Sequence, residues 1–272
     1  MDERYMISNV RLSHDLAALG LGTGQVVLLH SSLSSIGHLV GGARTAVEAL
    51  RDRLGHDGTC AAPTGTAANS DTSPHYRAAV AAMTAREVVR HRATMPAYDT
   101  ETTPSQDMGR IAEHLRLLPG AVRSAHPLTS FAAIGPQAKC ITDGHARDCL
   151  LGERSPLARL YDADALILLL GVGYDRCTAF HLAEYRYTDT PPRRTYRAVV
   201  DDGRGREWCE FEDVDLDAGD FAALGADFDQ TGVVRRGKVG RAEARLFSLT
   251  AAVDFATDWF ASHRSPQERR TL

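Results

Sequence analysis

Apolar positions along this chain change period from helix to strand and back, with glycines and prolines marking the boundaries. Val10, Leu12, Leu16 and Leu19 recur at roughly helical spacing, and Gly20 closes the segment. Val26-Val27-Leu28-Leu29 is a short unbroken apolar run, the pattern of a strand covered on both faces. From Thr45 to Leu54 the period returns to that of a helix, with Val47, Leu50 and Leu54 on one face. A second strand is predicted over Thr59–Thr64, ending at the same edge of the sheet as the first. Residues 65–98 are less regular, with an alanine-rich helical piece from about Arg77 to Arg90; a stretch of this length is expected to act as a lid or to contact substrate.

A turn cluster at 98–105 leads into a helix from about Gln106 to Leu117, with Pro104 at its first turn and Met108, Ile111 and Leu115 as its stripe. An irregular loop then carries Arg123, Ser124 and His126 into a short strand that ends near Gly135. Leu166–Leu170 is the most apolar run, predicted as a central strand, with Gly171 and Gly173 relieving the turn that follows it. A helix is expected next, capped by Thr178 or Asp175, placing Cys177, His181 and Glu184 on one side. Strands over Thr195–Val200 and Trp208–Phe211, joined at Asp201-Asp202-Gly203, read as a hairpin. The chain finishes as a helix from Phe247 to Ser262 with Val253, Ala256 and Phe260 aligned, and the residues from His263 onward look frayed. Strands alternating with helices define an α/β chain, one domain over residues 1–272 with an antiparallel excursion over 190–240.

Composition narrows the classes. The 272 residues are 43% hydrophobic, enough to bury a core without disulfides or a structural metal. The net charge of −4 gives no electrostatic reason to expect nucleic acid as a partner. All but two of the 31 basic residues are arginine, and they are scattered rather than patched. Five cysteines without a CxxC pair fit a reducing cytoplasm, and no apolar run approaches a membrane span or a signal peptide.

Three stretches could carry chemistry. His30-Ser31-Ser32-Leu33-Ser34-Ser35-Ile36-Gly37 follows a strand and precedes Gly41-Gly42, so its backbone N–H groups could receive phosphate, although the spacing is not that of a Walker loop and such a turn is as readily only a turn. Arg123, Ser124, His126 and Ser130 suit a diphosphate or the amide arm of a cofactor, with a purely structural His126 as the other reading. His181 and Glu184 pair a group that titrates near neutrality with a carboxylate able to orient it.

Taken with Pro63-Thr64, Asp99, Thr103-Pro104, the run from Pro119 to Pro127 with Ser130, Ser155-Pro156, Leu170-Gly-Val-Gly-Tyr-Asp175 with Thr178, His181-Leu-Ala-Glu184 and Gly237-Lys-Val-Gly240, these stretches occur in the order and at about the spacing of one family. The chain resembles the aminoglycoside 3-N-acetyltransferases over roughly residues 10 to 260. The resemblance implies a three-layer α/β/α sandwich around a mixed sheet, acetyl-CoA as co-substrate, no metal, and direct acetylation of an amine, the 3-amino group of a 2-deoxystreptamine ring. It implies His181 as general base, with Glu184 orienting it or facing the substrate; from the chemistry of the transfer, Thr178 and nearby backbone N–H groups are candidates for the oxyanion. Ser31, Ser32, Leu33, Ser34, Arg123, Ser124, His126 and Ser130 would face the cofactor. Asp99, Asp213, Asp215 and Glu184 would face a small polyamine or aminosugar. The expected protein is a cytoplasmic monomer or homodimer.

Many members carry asparagine where this chain has Cys177, which leaves two other enzymatic readings. One is acetylation of a biosynthetic amine; the other is an acyl-enzyme formed on Cys177 by a hydrolase or transferase. A non-catalytic binding module or a metal protein is the remaining class, and a single His-x-x-Glu pair supplies too few ligands for zinc or di-iron.

Overall fold

The structure, a computed structural model, describes residues 6–203 and 205–264. Seven strands form one mixed sheet: β1 (Val26–Ser31), β2 (Thr59–Pro63), β3 (Val122–Arg123), β4 (Phe131–Ile134), β5 (Leu166–Leu170), β8 (Arg235–Val239) and β9 (Ala242–Ser248), in the order β3-β4-β2-β1-β5-β9-β8. β1 runs parallel to both β2 and β5, and the remaining pairings are antiparallel. The three parallel strands are mostly apolar because each is buried on both faces; the exceptions are Thr59 at the start of β2 and His30 and Ser31 at the end of β1. Between them, β6 (Arg193–Asp201) and β7 (Arg206–Val214) form a separate two-stranded hairpin.

Eleven helices are present among the described residues: α1 (Asn9–Leu19), α2 (Leu33–Ile36), α3 (Ala43–Leu54), α4 (Pro74–Val80), α5 (Ala85–Thr94), α6 (Gly109–Arg116), α7 (Ala138–Thr142), α8 (Pro156–Asp162), α9 (Phe180–Ala183), α10 (Phe221–Asp229) and α11 (Leu249–His263). One face of the sheet buries Val27 and Leu29 with residues of α1, α3 and α6; the other buries Leu28, Ile167 and Leu169 with residues of α7 to α11. The result is the three-layer sandwich expected for the sequence. The alternation along β1 and β5 sends successive side chains into opposite cores.

The layers also position the site. After β1 the chain passes into α2 and α3 on one face; after β5 it turns into a 3-10 turn (Tyr174–Arg176) and α9 on the other. Adjacent parallel strands whose exits diverge open a crevice at their carboxyl ends. Gly171 makes the second exit possible. Its φ is +71°, and a Cβ there would lie 2.5 Å from that of Ser35 on the first exit.

Several expectations shift. Val10 is exposed and does not belong to the α1 stripe. The 77–90 helix is two helices, α4 and α5, because the chain breaks between Val80 and Ala85. α6 starts at Gly109, not near 106, since Asp107 and Gly109 have positive φ and Pro104 lies in the preceding turn. Gly173 has an extended backbone with φ −89°, so only Gly171 is required by conformation. The antiparallel excursion does not run to 240: its hairpin ends at Val214, and Arg235–Val239 is the edge strand of the main sheet. Phe247 belongs to β9, and the final helix starts at Leu249. His263 is still helical; of the tail expected to fray, residues 265–272 lie outside the described residues.

Candidate functional site

The diverging exits of β1 and β5 enclose a cavity of about 920 Å³. Ser31, Ser32, Leu33 and Ser34 line one side of it, and Cys177, Thr178 and His181 line another. Asp107, Met108, Gly109 and Arg110, just before and within the first turn of α6, complete the wall. No residue of 65–98 lines it; α4 reaches the wall only through His75, whose Nε2 lies 2.5 Å from an oxygen of Asp107.

His181 and Glu184 are brought together as their spacing predicts. Nδ1 of His181 is 2.5 Å from Oε2 of Glu184. The helix that carries the pair is a single turn, and it starts later than expected. Its N-cap is Ala179, without a side-chain cap from Thr178 or Asp175. Glu184 is buried at 1% exposure and is satisfied on its other oxygen by the Asp217 N–H at 3.0 Å and by Arg264. Burial opposes the charge of Arg264, but the carboxylates of Asp220 and Glu184 more than offset it and raise its pKa. A carboxylate so held keeps one oxygen for imidazole Nδ1, which leaves Nε2 as the ring nitrogen available for proton transfer. Phe221 of α10 packs against the imidazole with ring centroids 4.7 Å apart. α10 can approach this closely because Gly225 faces the Tyr174 ring, where a Cβ would lie 2.0 Å from Cγ.

Cys177 also lines the cavity but is fully buried, and that burial pushes its thiol up to about 12. A thiol of that kind is not a nucleophile at neutral pH. The Cys177→Ala protein should therefore keep its turnover within about threefold, as expected where a buried thiol only packs; a loss as large as that of a His181 variant, in the same initial-rate assay, would restore the acyl-enzyme route.

The second group of cofactor candidates lies outside the cavity lining. Arg123 donates to the carbonyls of Thr64 and Thr103 and to Oγ of Ser130, so its guanidinium ties the end of β2 to the turn before α6. Ser130 donates in turn to the Thr64 carbonyl. Ser124 accepts from the Phe131 N–H and pairs with Nδ1 of His145 at 3.0 Å. His126 is fully buried, accepts the N–H groups of Leu128 and Thr129 at Nδ1, and stacks on His145 with centroids 4.6 Å apart. All four side chains hydrogen-bond within the loop or to its neighbours, and none of them lines the cavity.

The acidic group is likewise dispersed. Asp213, at 2% exposure, accepts the Leu150 N–H and the Tyr185 hydroxyl, each at 2.6 Å. Asp215 pairs with Arg194 at 3.4 Å, and Asp99 caps its own turn by accepting from the Glu101 and Thr102 N–H groups. The carboxylates on the cavity wall are instead Asp107 and Asp175. Arg110, Arg176, His38 and His30 also line it and were not singled out by sequence. His30 stood in plain view before the serines, and the stripe Phe221, Leu224 and Phe228 gave the signal for α10.

Burial lowers the pKa of three histidines: His30 to about 3, His145 to about 4, and His126 well below its ordinary value. They stay neutral in the fold but take up protons in the unfolded chain below about pH 6.5. Stability contributed by neutral burial is therefore present above pH 6.5 and lost as pH falls toward 4. The loss approaches ~1.4 kcal/mol per pH unit for each imidazole. Urea midpoints measured across that range should fall steeply; a flat profile would contradict neutral burial.

Among the described residues no group of three or more His, Cys, Asp or Glu side chains could hold a metal ion, and no helix is long and apolar enough to cross a membrane. Comparison with known proteins adds the following. The model of the aminoglycoside 3-N-acetyltransferase family matches residues 28–261. The SPbeta prophage-derived aminoglycoside N(3')-acetyltransferase-like protein YokD of Bacillus subtilis (strain 168) is 39% identical over 255 residues, covering 93% of this chain and 92% of its own. Its crystal structure superposes with a TM-score of 0.89, covering 96% of this chain and 95% of that one. Aminoglycoside N(3)-acetyltransferase VIII of Streptomyces fradiae is 38% identical, covering 96% and 97% of the two chains. The solved structure of AAC-IIIb in binary complex with CoASH is 29% identical, with a TM-score of 0.82 over 94% of this chain and 97% of that one.

Proposed function

The chain belongs to the aminoglycoside 3-N-acetyltransferase family, and from that premise we propose that it transfers the acetyl group of acetyl-CoA directly to the 3-amino group of a 2-deoxystreptamine aminoglycoside. Acetylation turns an ammonium into a neutral amide, which removes a charge from the antibiotic and would confer resistance. The observation that carries the proposal is the His181–Glu184 pair opening on a cavity whose opposite wall is the hydroxyl-rich exit of β1.

The cavity residues fit the two substrates. Ser31, Ser32, Leu33 and Ser34 offer hydroxyl and backbone groups to the pantetheine arm, and Arg110 and Arg176 offer cations to phosphate. Asp107 and Asp175 offer carboxylates to the ammonium groups of the sugar. A relative with CoASH bound, AAC-IIIb, shares this fold and supports the assignment of the donor.

His181 takes the proton that the amine releases as it attacks, since Nδ1 is committed to Glu184 and Nε2 is left for the substrate. Glu184 holds the ring in that tautomer and stabilises the imidazolium, while Arg264 and the Asp217 N–H hold its other oxygen. Thr178 lies beside His181 on the cavity wall, where its hydroxyl can meet the developing oxyanion. The site stands on one chain in a cytoplasmic protein, as monomer or homodimer.

Purified protein mixed with acetyl-CoA and a panel of amines, with thiol release followed, tests the proposal. Release is expected with aminoglycosides that carry the 2-deoxystreptamine ring. No release with any of them, but release with a simpler amine, would move the function to a biosynthetic acceptor.

A further inference from the structure

His30 is the fifth residue of β1 and shares its sheet face with Leu28, the face against which α9 and α10 pack. It lines the cavity, yet only 8% of it is exposed. Its Nε2 is buried with no hydrogen-bond partner. His181 lines the same cavity, close enough that its charge acts on the His30 ring. On β1 it follows Val26-Val27-Leu28-Leu29, and its register partner on β5 is Leu169, so an apolar side chain would suit the strand and avoid leaving a polar nitrogen unpaired. A buried polar atom without a partner therefore calls for a ligand that completes it.

We propose that His30 is a second catalytic residue, whose neutral imidazole donates its Nε2 N–H to the acetyl carbonyl oxygen and stabilises the oxyanion formed during transfer. The proposal rests on the acetyl-transfer reading above. The step balances without any further reactant. The amine nitrogen forms its bond to the carbonyl carbon, the carbonyl π pair moves to oxygen opposite His30, and the amine's proton passes to His181. Collapse of the adduct re-forms the carbonyl, and the carbon–sulfur bond breaks with its electron pair on sulfur. The His181 imidazolium then returns the proton to the thiolate, so amide and thiol are the products. His30 neither gains nor loses a proton. Burial suits it to that part, because it keeps the ring uncharged down to about pH 3 while the imidazolium of His181 forms nearby. A neutral imidazole is a poor base but a competent donor to a developing oxyanion.

Two substitutions and one spectroscopic measurement test this. His30→Leu should lower kcat by about 100-fold with KM for acetyl-CoA nearly unchanged, the range for loss of one oxyanion donor. Its melting temperature should hold or rise, because an unpaired buried polar group has been removed. His30→Gln, which restores an N–H donor, should recover most of the lost kcat. Undiminished kcat in the leucine protein, or a glutamine protein no better than leucine, would overturn the proposal. In nitrogen-labelled histidine spectra, a ketone analogue of acetyl-CoA with a methylene in place of sulfur should shift the His30 Nε2 signal, whereas CoA without the acetyl group should not. An equal shift from both would assign the contact elsewhere and overturn the proposal. Failure of the analogue to bind either the wild-type or the leucine protein would bring down the acetyl-transfer reading and this proposal together.

Discussion

His181→Ala is expected to lower kcat by about 10³-fold while KM for both substrates stays within a few-fold, the signature of a proton-transfer group that acts in the transition state. The loss should not come from unfolding. Glu184 would lose the imidazole but keep the Asp217 N–H and Arg264, so its buried charge remains paired. His181→Gln sharpens the test. Its amide can still hydrogen-bond Glu184 and fill the space above Phe221, but it cannot take up a proton. Glutamine should be as inactive as alanine, with far-UV circular dichroism and melting temperature close to wild type. Retention of a tenth or more of wild-type kcat in either protein would remove His181 as the base.

Asp213→Ala should cost about 3 kcal/mol of stability, because two buried donors, the Leu150 N–H and the Tyr185 hydroxyl, would lose their shared acceptor. For a chain of this size that corresponds to a fall of roughly 6–10 °C in melting temperature. Burial and the Asp213 carboxylate together push the Tyr185 phenol up, so the hydroxyl remains a donor at any pH where the protein is folded. Turnover and KM for the amine should change little at a temperature where the variant is folded, since Asp213 does not line the cavity. An unchanged melting temperature with a tenfold rise in amine KM would instead make Asp213 a substrate contact.

Asp213 also shows where sequence reading stops. An acidic run after a hairpin looks like a surface that greets a polycation. β7 continues into the run Glu212–Asp217 as far as Val214, however, and alternation along the strand puts Asp213 on the same buried side as Phe211 while Glu212 points to solvent. The hydrogen bonds of Arg123, Ser124, His126 and Ser130 were not legible for a related reason. Their partners, Thr64, Thr103 and His145, stand in other elements, and no local pattern announces a hydrogen bond across the fold.

What was legible depended on short-range regularity. β1 and β5 could be read because strands buried on both faces are unbroken apolar runs, and α3 and α11 because each keeps one apolar stripe. β8 was missed because it is an edge strand whose Arg235, Arg236 and Lys238 are exposed, and β9 because its alternation runs straight into the stripe of α11. The His181–Glu184 pair was visible since three residues of a single helical turn sufficed to join them. Of the other cavity residues, Asp107 and Arg176 stand in turns and Arg110 in the first turn of α6, all exposed and with no pattern of their own.

In the proposed reaction acetyl passes straight to a sugar nitrogen in the cavity beside His181. The most direct measurement incubates the protein with acetyl-CoA carrying an isotope-labelled acetyl group and a 2-deoxystreptamine aminoglycoside, then locates the label by NMR. Label is expected in an amide on the 3-amino nitrogen, with none retained on the protein. Label found as free acetate, on Cys177, or still on CoA would contradict that reaction.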